Sequence, residues 1–373
     1  MHITFRADAS LQIGTGHVMR CLTLADALRE RGAICSFVCR PHQGHLMALI
    51  NQRGYRVLAL PKLLEGSELN PNGTAHAHWL CTDWTTDAQD TQQALAADTG
   101  DQPVDWLVVD HYALDARWEK TLRPQAKCIM VIDDLADRPH VCDLLLDQNL
   151  GRKDEDYIGL LNGKPVTLIG PQYALLRPEF AAMRAQSLER RQSPHLRRLL
   201  ITMGGVDKDN ATGQVLAALQ SCNLPADLSL TVVMGLHAPW LVQVRAQATQ
   251  MPWYTEVLVG VDNMAQLMAE CDLAIGASGS TSWERCCLGV PTIQIALTQN
   301  QVAIGQALSN SGAALAVKGN AIAQTLPNLV RTVANADKLS AISLASSSIT
   351  QGKGTLLVSD FMKRVYENHN IVQ

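Results

Sequence analysis

Gly14-Thr15-Gly16-His17 is the stretch of this chain best equipped for chemistry. It follows a short strand holding Ile3 and Phe5, and it precedes apolar residues Val18, Cys21, Leu22, Ala25 and Leu28. Their recurrence at spacings of three and four predicts a helix over 18–31 with one buried face. Two glycines let the connecting backbone turn tightly and lie close to a bound group. A helix start presents unpaired N–H groups and the positive end of a dipole, which suits a phosphate. The same dipole disfavours a protonated ring at His17, so the imidazole is expected to accept a proton. The bland alternative is a cap or a packed ring on a Gly-rich turn of a kind common in α/β proteins.

Other candidates fall at the ends of apolar runs. Asp110-His111-Tyr112 closes Trp106-Leu-Val-Val, which reads as a buried parallel strand, and ligands gather at the carboxyl ends of such strands. Asp133-Asp134 closes another; paired carboxylates can bind a metal or act as acid and base, and the favoured reading is structural, as a turn cap or partner of Arg138. Gly276-Ala-Ser-Gly279-Ser280-Thr281 opens a later helix, where N–H groups and two hydroxyls suit a diphosphate. Glu284, one turn inside, can accept two hydrogen bonds from a ribose diol, or complete a capping box. His76 and His78 have no third metal ligand nearby and read as exposed loop histidines.

These residues need a frame to hold them. Strand and helix patterns alternate from the first residues, giving β-α-β-α-β by residue 60. After the polar run 189–193 the alternation restarts, with strands over 199–203, 228–234, 255–259, 273–275 and 290–296. We expect two facing doubly wound, Rossmann-like α/β domains with an interdomain cleft. The expected bounds are 1–192 and 193–354, with a last amphipathic helix in 355–373. Residues 61–83, broken by Pro61, Gly66, Pro71 and Gly73, read as a loop over the cleft.

Composition narrows the function classes. Hydrophobic residues make up 47% of the 373 and charged residues 18%, which describes a folded chain with ample core. A net charge of −4 offers no basic field for nucleic acid or an anionic membrane. Ten scattered Cys include no Cys-x-x-Cys pair, so no zinc site is expected. With no signal peptide or membrane-length apolar run in the sequence, a cytoplasmic location with reduced thiols is expected.

RADASLQIGTGHVMRCLTLADALRERG, with VVDHYALD, IDDLADR, DLLLDQN, GPQYALLRPEF, MGGVDKDN, ASGSTSWERCCLGVPTIQI and TQNQ, resembles one family over residues 3 to about 360. These blocks are similar to those of the UDP-2,4-diacetamido-2,4,6-trideoxy-β-L-altropyranose hydrolases of pseudaminic acid synthesis. The resemblance implies a GT-B-like architecture and hydrolysis of a UDP-sugar at the anomeric C–O bond with inversion, without metal or cofactor. It implies His17 as general base and Tyr112 beside the sugar. UDP contacts are implied for Asn210 and Glu284, and a polar contact near the reacting sugar for Asn300. The substrate-binding set expected from motifs and loops together is Gly14, Gly16, Arg20, Tyr112, Gly205, Asn210, Ser280, Thr281, Glu284, Asn300 and Gln301. Asp8 and Tyr112 stand next in line as base. A GT-B glycosyltransferase using a UDP-sugar donor and a non-catalytic nucleotide-sugar binding protein are the alternatives.

Overall fold

A computed structural model describes residues 1–62, 74–100, 102–236 and 238–372. The chain divides into two compact units, Met1–Leu175 with Gly354–Gln373, and Leu176–Lys353.

The first unit runs β1 (His2–Ala7), α1 (Gly16–Glu30), β2 (Ile34–Cys39), α2 (Met47–Gln52), β3 (Arg56–Ala59), α3 (Trp84–Thr99), β4 (Val104–Asp110), α4 (Ala116–Leu122), β5 (Ala126–Ile132), β6 (Leu144–Asp147) and β7 (Val166–Ile169). All pairings are parallel, in the order β3-β2-β1-β4-β5-β6-β7. The strands are apolar on both faces because both faces are covered. Trp106 and Val108 pack with Ile3, Phe5 and α1 on one face, while Leu107 and Val109 pack with Val131 and Trp118 on the other. Strand order reverses between β1 and β4, where Ala7 registers with Asp110. That reversal is where doubly wound sheets open a crevice beyond their carboxyl ends.

The second unit repeats the plan: α5 (Pro178–Arg190), β8 (Arg198–Thr202), α6 (Ala211–Gln220), β9 (Ser229–Met234), α7 (Leu241–Ala248), β10 (Tyr254–Val259), α8 (Met264–Glu270), β11 (Leu273–Ala277), α9 (Thr281–Cys287), β12 (Thr292–Ala296), α10 (Gln299–Asn310), β13 (Leu315–Lys318), α11 (Ile322–Val333) and α12 (Ala336–Ser347). Its parallel order is β10-β9-β8-β11-β12-β13, with Thr202 registered against Gly276 at the reversal. Its core joins Leu199, Ile201, Val232, Ile275, Ile293 and Ile295. The last helix, α13 (Gly354–Val372), packs Val358 and Met362 into the core of the first unit.

The compact units part before α5 rather than at 192/193. The reason lies in α5's own bonds: Arg184 donates to the carbonyls of Cys287, Ser347 and Thr350, and Ser187 Oγ donates to Leu288 O. Residues 63–73 of the long loop expected over 61–83 lie outside the described residues. Its end does not stay a loop, since Ala77–Leu80 forms a 3-10 turn and Asp83 caps α3 by accepting the Thr86 N–H.

Candidate active site

At the β1/β4 reversal the site is built on α1. Gly14 takes φ +81°, a left-handed turn that a side chain would strain, and it brings the chain into α1 at Gly16. Thr15 makes no side-chain cap, so the first N–H groups of α1 have no acceptor among the described residues. His17 and Arg20, one turn apart on α1, both face Asp110 at the end of β4. His17 Nδ1 lies 2.6 Å from Asp110 Oδ1. Arg20 grips the same carboxylate through Nε and Nη2, each at 2.6 Å, and reaches Asp134 Oδ2 with Nη1 at 2.8 Å. Tyr112 donates its hydroxyl to Asp134 Oδ2 at 2.6 Å.

Electrostatics fix the proton on His17. Burial alone would raise the Asp110 carboxyl, but the Arg20 guanidinium, helped by His17, holds it far below the ordinary carboxylate range. An ionised carboxylate only accepts, so Nδ1 carries a hydrogen, and in the neutral ring the lone pair is then on Nε2. No partner for Nε2 is present among the described residues. Around the ring stands an aromatic wall. Tyr112 meets His17 edge-on at 4.6 Å between centroids, Trp79 stacks on Tyr112 at 5.3 Å, and His76 lies 4.7 Å from Trp79. His76 is thus a half-buried ring of the wall, not an exposed loop histidine, while His78 is exposed.

Asp133 and Asp134 separate by role. Asp133 accepts the Ala136 N–H at 2.8 Å and pairs with Arg138 at 2.8 Å, the structural part expected of the pair. Asp134 joins the His17 network through Arg20. Asp8, the reserve base, is buried and tied to Arg6 at 2.8 Å. Burial and Asp134 push the Tyr112 hydroxyl well above its ordinary range, which removes it as a base near neutrality.

In the second unit the β8/β11 reversal gathers two loops. Gly204 and Gly205 follow β8, and the carbonyl of Gly205 occupies the place a side chain at Gly235 would need. Asn210 caps α6, accepting the Gly213 N–H at 3.0 Å. Ser278 is fully buried, and its Oγ has no partner among the described residues. Gly279, Ser280 and Thr281 follow with N–H groups that have no acceptor there either. Beneath them lies Arg285, buried, donating to Ala277 O at 2.7 Å and Ser282 Oγ at 3.2 Å, with no carboxylate in salt-bridge range among the described residues. Burial pushes its guanidinium down to about 10. Gly276 makes room for it, since a Cβ there would sit 2.5 Å from Arg285 Nη1.

Ser280 makes no side-chain cap, so the capping box considered for Glu284 is not formed. Glu284 is half-buried, makes no hydrogen bond among the described residues, and burial pushes its carboxyl up to about 7 against the pull of Arg177 and Arg285. Gln301 accepts the Leu297 N–H at 3.0 Å, and Asn300 accepts the Thr298 hydroxyl at 2.6 Å, both at the start of α10.

Thus His17, Arg20 and Tyr112 share one network, and Gly205, Ser280, Thr281 and Glu284 flank the second reversal. Sequence reasoning placed Asp110 at a strand end without seeing it as the partner of His17. Trp79 and Arg285 were missed; an Arg one residue past Glu284 was the signal for the latter. Among the described residues no group of three or more His, Cys, Asp or Glu can hold a metal, and no helix is long and apolar enough to cross a membrane.

No family model matches the chain. The resemblance read from the motifs is met by a relative of that name, the UDP-2,4-diacetamido-2,4,6-trideoxy-beta-L-altropyranose hydrolase of Campylobacter jejuni, 25% identical over 84% of this chain and 97% of that one. The spore coat polysaccharide biosynthesis protein SpsG of Bacillus subtilis is 22% identical over 98% of this chain and 99% of its own. The fold is α/β with two parallel-sheet units of GT-B type, as in the crystal structure of Acinetobacter baumannii MurG, with a TM-score of 0.67, 16% identity and 97% and 99% of the two chains covered.

Proposed function

We propose that this chain is a UDP-sugar hydrolase, acting on UDP-2,4-diacetamido-2,4,6-trideoxy-β-L-altropyranose in the cytoplasm and releasing UDP and the free sugar for pseudaminic acid synthesis. The observation that carries this reading is the His17–Asp110 pair at 2.6 Å, with Nε2 left as the acceptor. In this reading a water gives its proton to Nε2 while its oxygen attacks the anomeric carbon. The anomeric C–O bond breaks on the opposite face, configuration inverts, and UDP leaves with the bonding pair. Asp110 holds the ring in the acceptor tautomer and offsets the imidazolium charge as it forms. Arg20 locks Asp110, and Tyr112 with Trp79 offers a flat apolar wall to a deoxysugar.

The departing diphosphate is assigned to Gly279, Ser280 and Thr281, whose N–H groups and the Arg285 charge below them oppose its negative charge. Glu284 is assigned to the ribose hydroxyls, and Gly205 and Asn210 to the nucleotide. Asn300 and Gln301 are assigned to the sugar, and Gly14 and Gly16 to close backbone approach. No metal or cofactor enters the scheme. The name of the Campylobacter relative supports the choice of sugar.

Likeness to a GT-B glycosyltransferase fold favours one second reading, in which a sugar or lipid hydroxyl replaces the water. Incubation with a panel of UDP-sugars and no acceptor separates the two. UDP release, with NMR showing the inverted anomer first, is the expected result; absence of UDP release until an acceptor is added would give the site to transfer.

A further inference from the structure

A second constellation in the first unit is unused by that chemistry. Cys81 follows the 3-10 turn that carries Trp79, in a left-handed backbone at φ 56°, and of the ten thiols it alone is exposed. Its Sγ lies 3.8 Å from His42 Nδ1. The other face of that ring turns inward: the His42 side chain is 9% exposed, and its Nε2 lies 3.4 Å from Asp8 Oδ2. Neither of these two buried atoms makes a closer hydrogen bond among the described residues. Asp8 Oδ1 is occupied by Arg6 Nη1 at 2.8 Å and by the Arg40 backbone N–H at 2.7 Å. His111 also faces Oδ2, at 3.4 Å through Nε2, and its Nδ1 accepts the Ala113 N–H, so Nε2 carries its hydrogen.

Burial alone would raise the Asp8 carboxyl, but Arg6, with the two imidazoles, holds it well below the ordinary range. An ionised Asp8 favours a hydrogen on His42 Nε2, which leaves the Nδ1 lone pair toward the thiol. We propose that Cys81, His42 and Asp8 form a reactive-thiol site, at which hydroperoxides and other soft electrophiles modify this chain. The thiol proton passes to His42 Nδ1 and the thiolate attacks. With a hydroperoxide, an S–O bond forms and the O–O bond breaks. The leaving alkoxide or hydroxide takes the His42 proton, sulfur is oxidised to the sulfenic acid, and the peroxide is reduced. The other nine thiols are buried or half-buried, and burial pushes each upward, which sets them apart from this role.

The test is site-resolved mass spectrometry of the full chain treated with iodoacetamide at neutral pH. Cys81 should be alkylated at least about tenfold faster than glutathione in the same buffer, and His42→Gln should slow it at least about tenfold. With limiting hydrogen peroxide and dimedone, the sulfenic adduct should appear at Cys81 and fall in His42→Gln. A wild-type rate no greater than that of glutathione overturns the proposal, as does a rate unchanged in a folded His42→Gln variant. The glutathione comparison uses the unaltered protein, so a variant that fails to fold does not remove the test.

Discussion

The two strand-order reversals carry the same turn-to-helix device and fill it in opposite ways. At β1/β4, the His17, Arg20, Tyr112, Asp110 and Asp134 side chains satisfy one another within 2.6–2.8 Å. At β8/β11, Arg285 is buried without a carboxylate in range, Ser278 Oγ has no partner, and Glu284 holds a raised carboxyl, all as seen among the described residues. Burying an unpaired charge costs several kcal/mol unless something answers it. A closed network fixes the orientation of one reactive atom, Nε2, whereas an unanswered cation and open N–H groups suit an anion that comes and goes. In the proposed function the first does chemistry and the second grips the leaving group.

The strongest way to break this contrast is His17→Ala. It should lower kcat by roughly 100- to 10,000-fold, as for a general base, while UDP affinity changes little. Steady-state rates and calorimetry on a variant shown to be folded by circular dichroism decide it, and near-wild-type turnover would move the base elsewhere. Asp110→Asn should cost less, roughly 10- to 1,000-fold in kcat, because the ring remains but its tautomer and imidazolium lose their partner. An Asp110→Asn loss confined to KM would make the network a scaffold only.

Predictions at the second reversal are read in affinity. Glu284→Ala should weaken UDP binding by about 1–3 kcal/mol if it accepts charge-assisted bonds from the ribose. Its pH dependence sharpens the point. Below about 7 the carboxyl is protonated and above it ionised. In a His17→Ala background, affinity for the intact UDP-sugar should therefore rise about fivefold from pH 6 to pH 8, the difference between neutral and charged acceptors, and stay flat in Glu284→Gln. A fall in affinity over that range would place Glu284 beside the diphosphate instead. The smallest expected effect is that of EDTA. Turnover should survive it unchanged, and a loss restored by Mg²⁺ or Mn²⁺ would return Asp133 and Asp134 to consideration.

The alternation of strands and helices was legible because each strand is a compact apolar run such as Trp106–Val109, closed by polar residues. The stretch holding β13, α11 and α12 was not: β13 is only four residues long, Pro327 interrupts the otherwise regular apolar spacing of α11, and the Ala- and Ser-rich α12 has little contrast between its faces. Loops with unusual composition, Gly14 to His17 and Gly276 to Thr281, announced themselves. Partnerships did not: His17 and Asp110 stand 93 residues apart, and only the register of β1 with β4 brings them together. Trp79 was hidden for a related reason, since a lone aromatic in a polar segment carries no period to reveal where it packs. The boundary before α5 was obscured because the charged run 189–193 looks like a linker, yet Arg191 within it donates to the carbonyls of Met268, Ala269 and Cys271.

The return of α13 to the first unit sets the order in which this protein can be made. Residues 1–175 leave the ribosome before the second unit, yet a face of their sheet awaits Val358 and Met362, which are translated after it. The second unit is one uninterrupted stretch and can close its core while the first is still waiting. The nascent chain therefore carries an exposed apolar strip until the second unit has been made, and joining it to α13 requires closing a loop that spans the whole second unit, a slow, non-local step. A chain stopped at Lys353 would keep every residue of both reversals and still leave that strip uncovered.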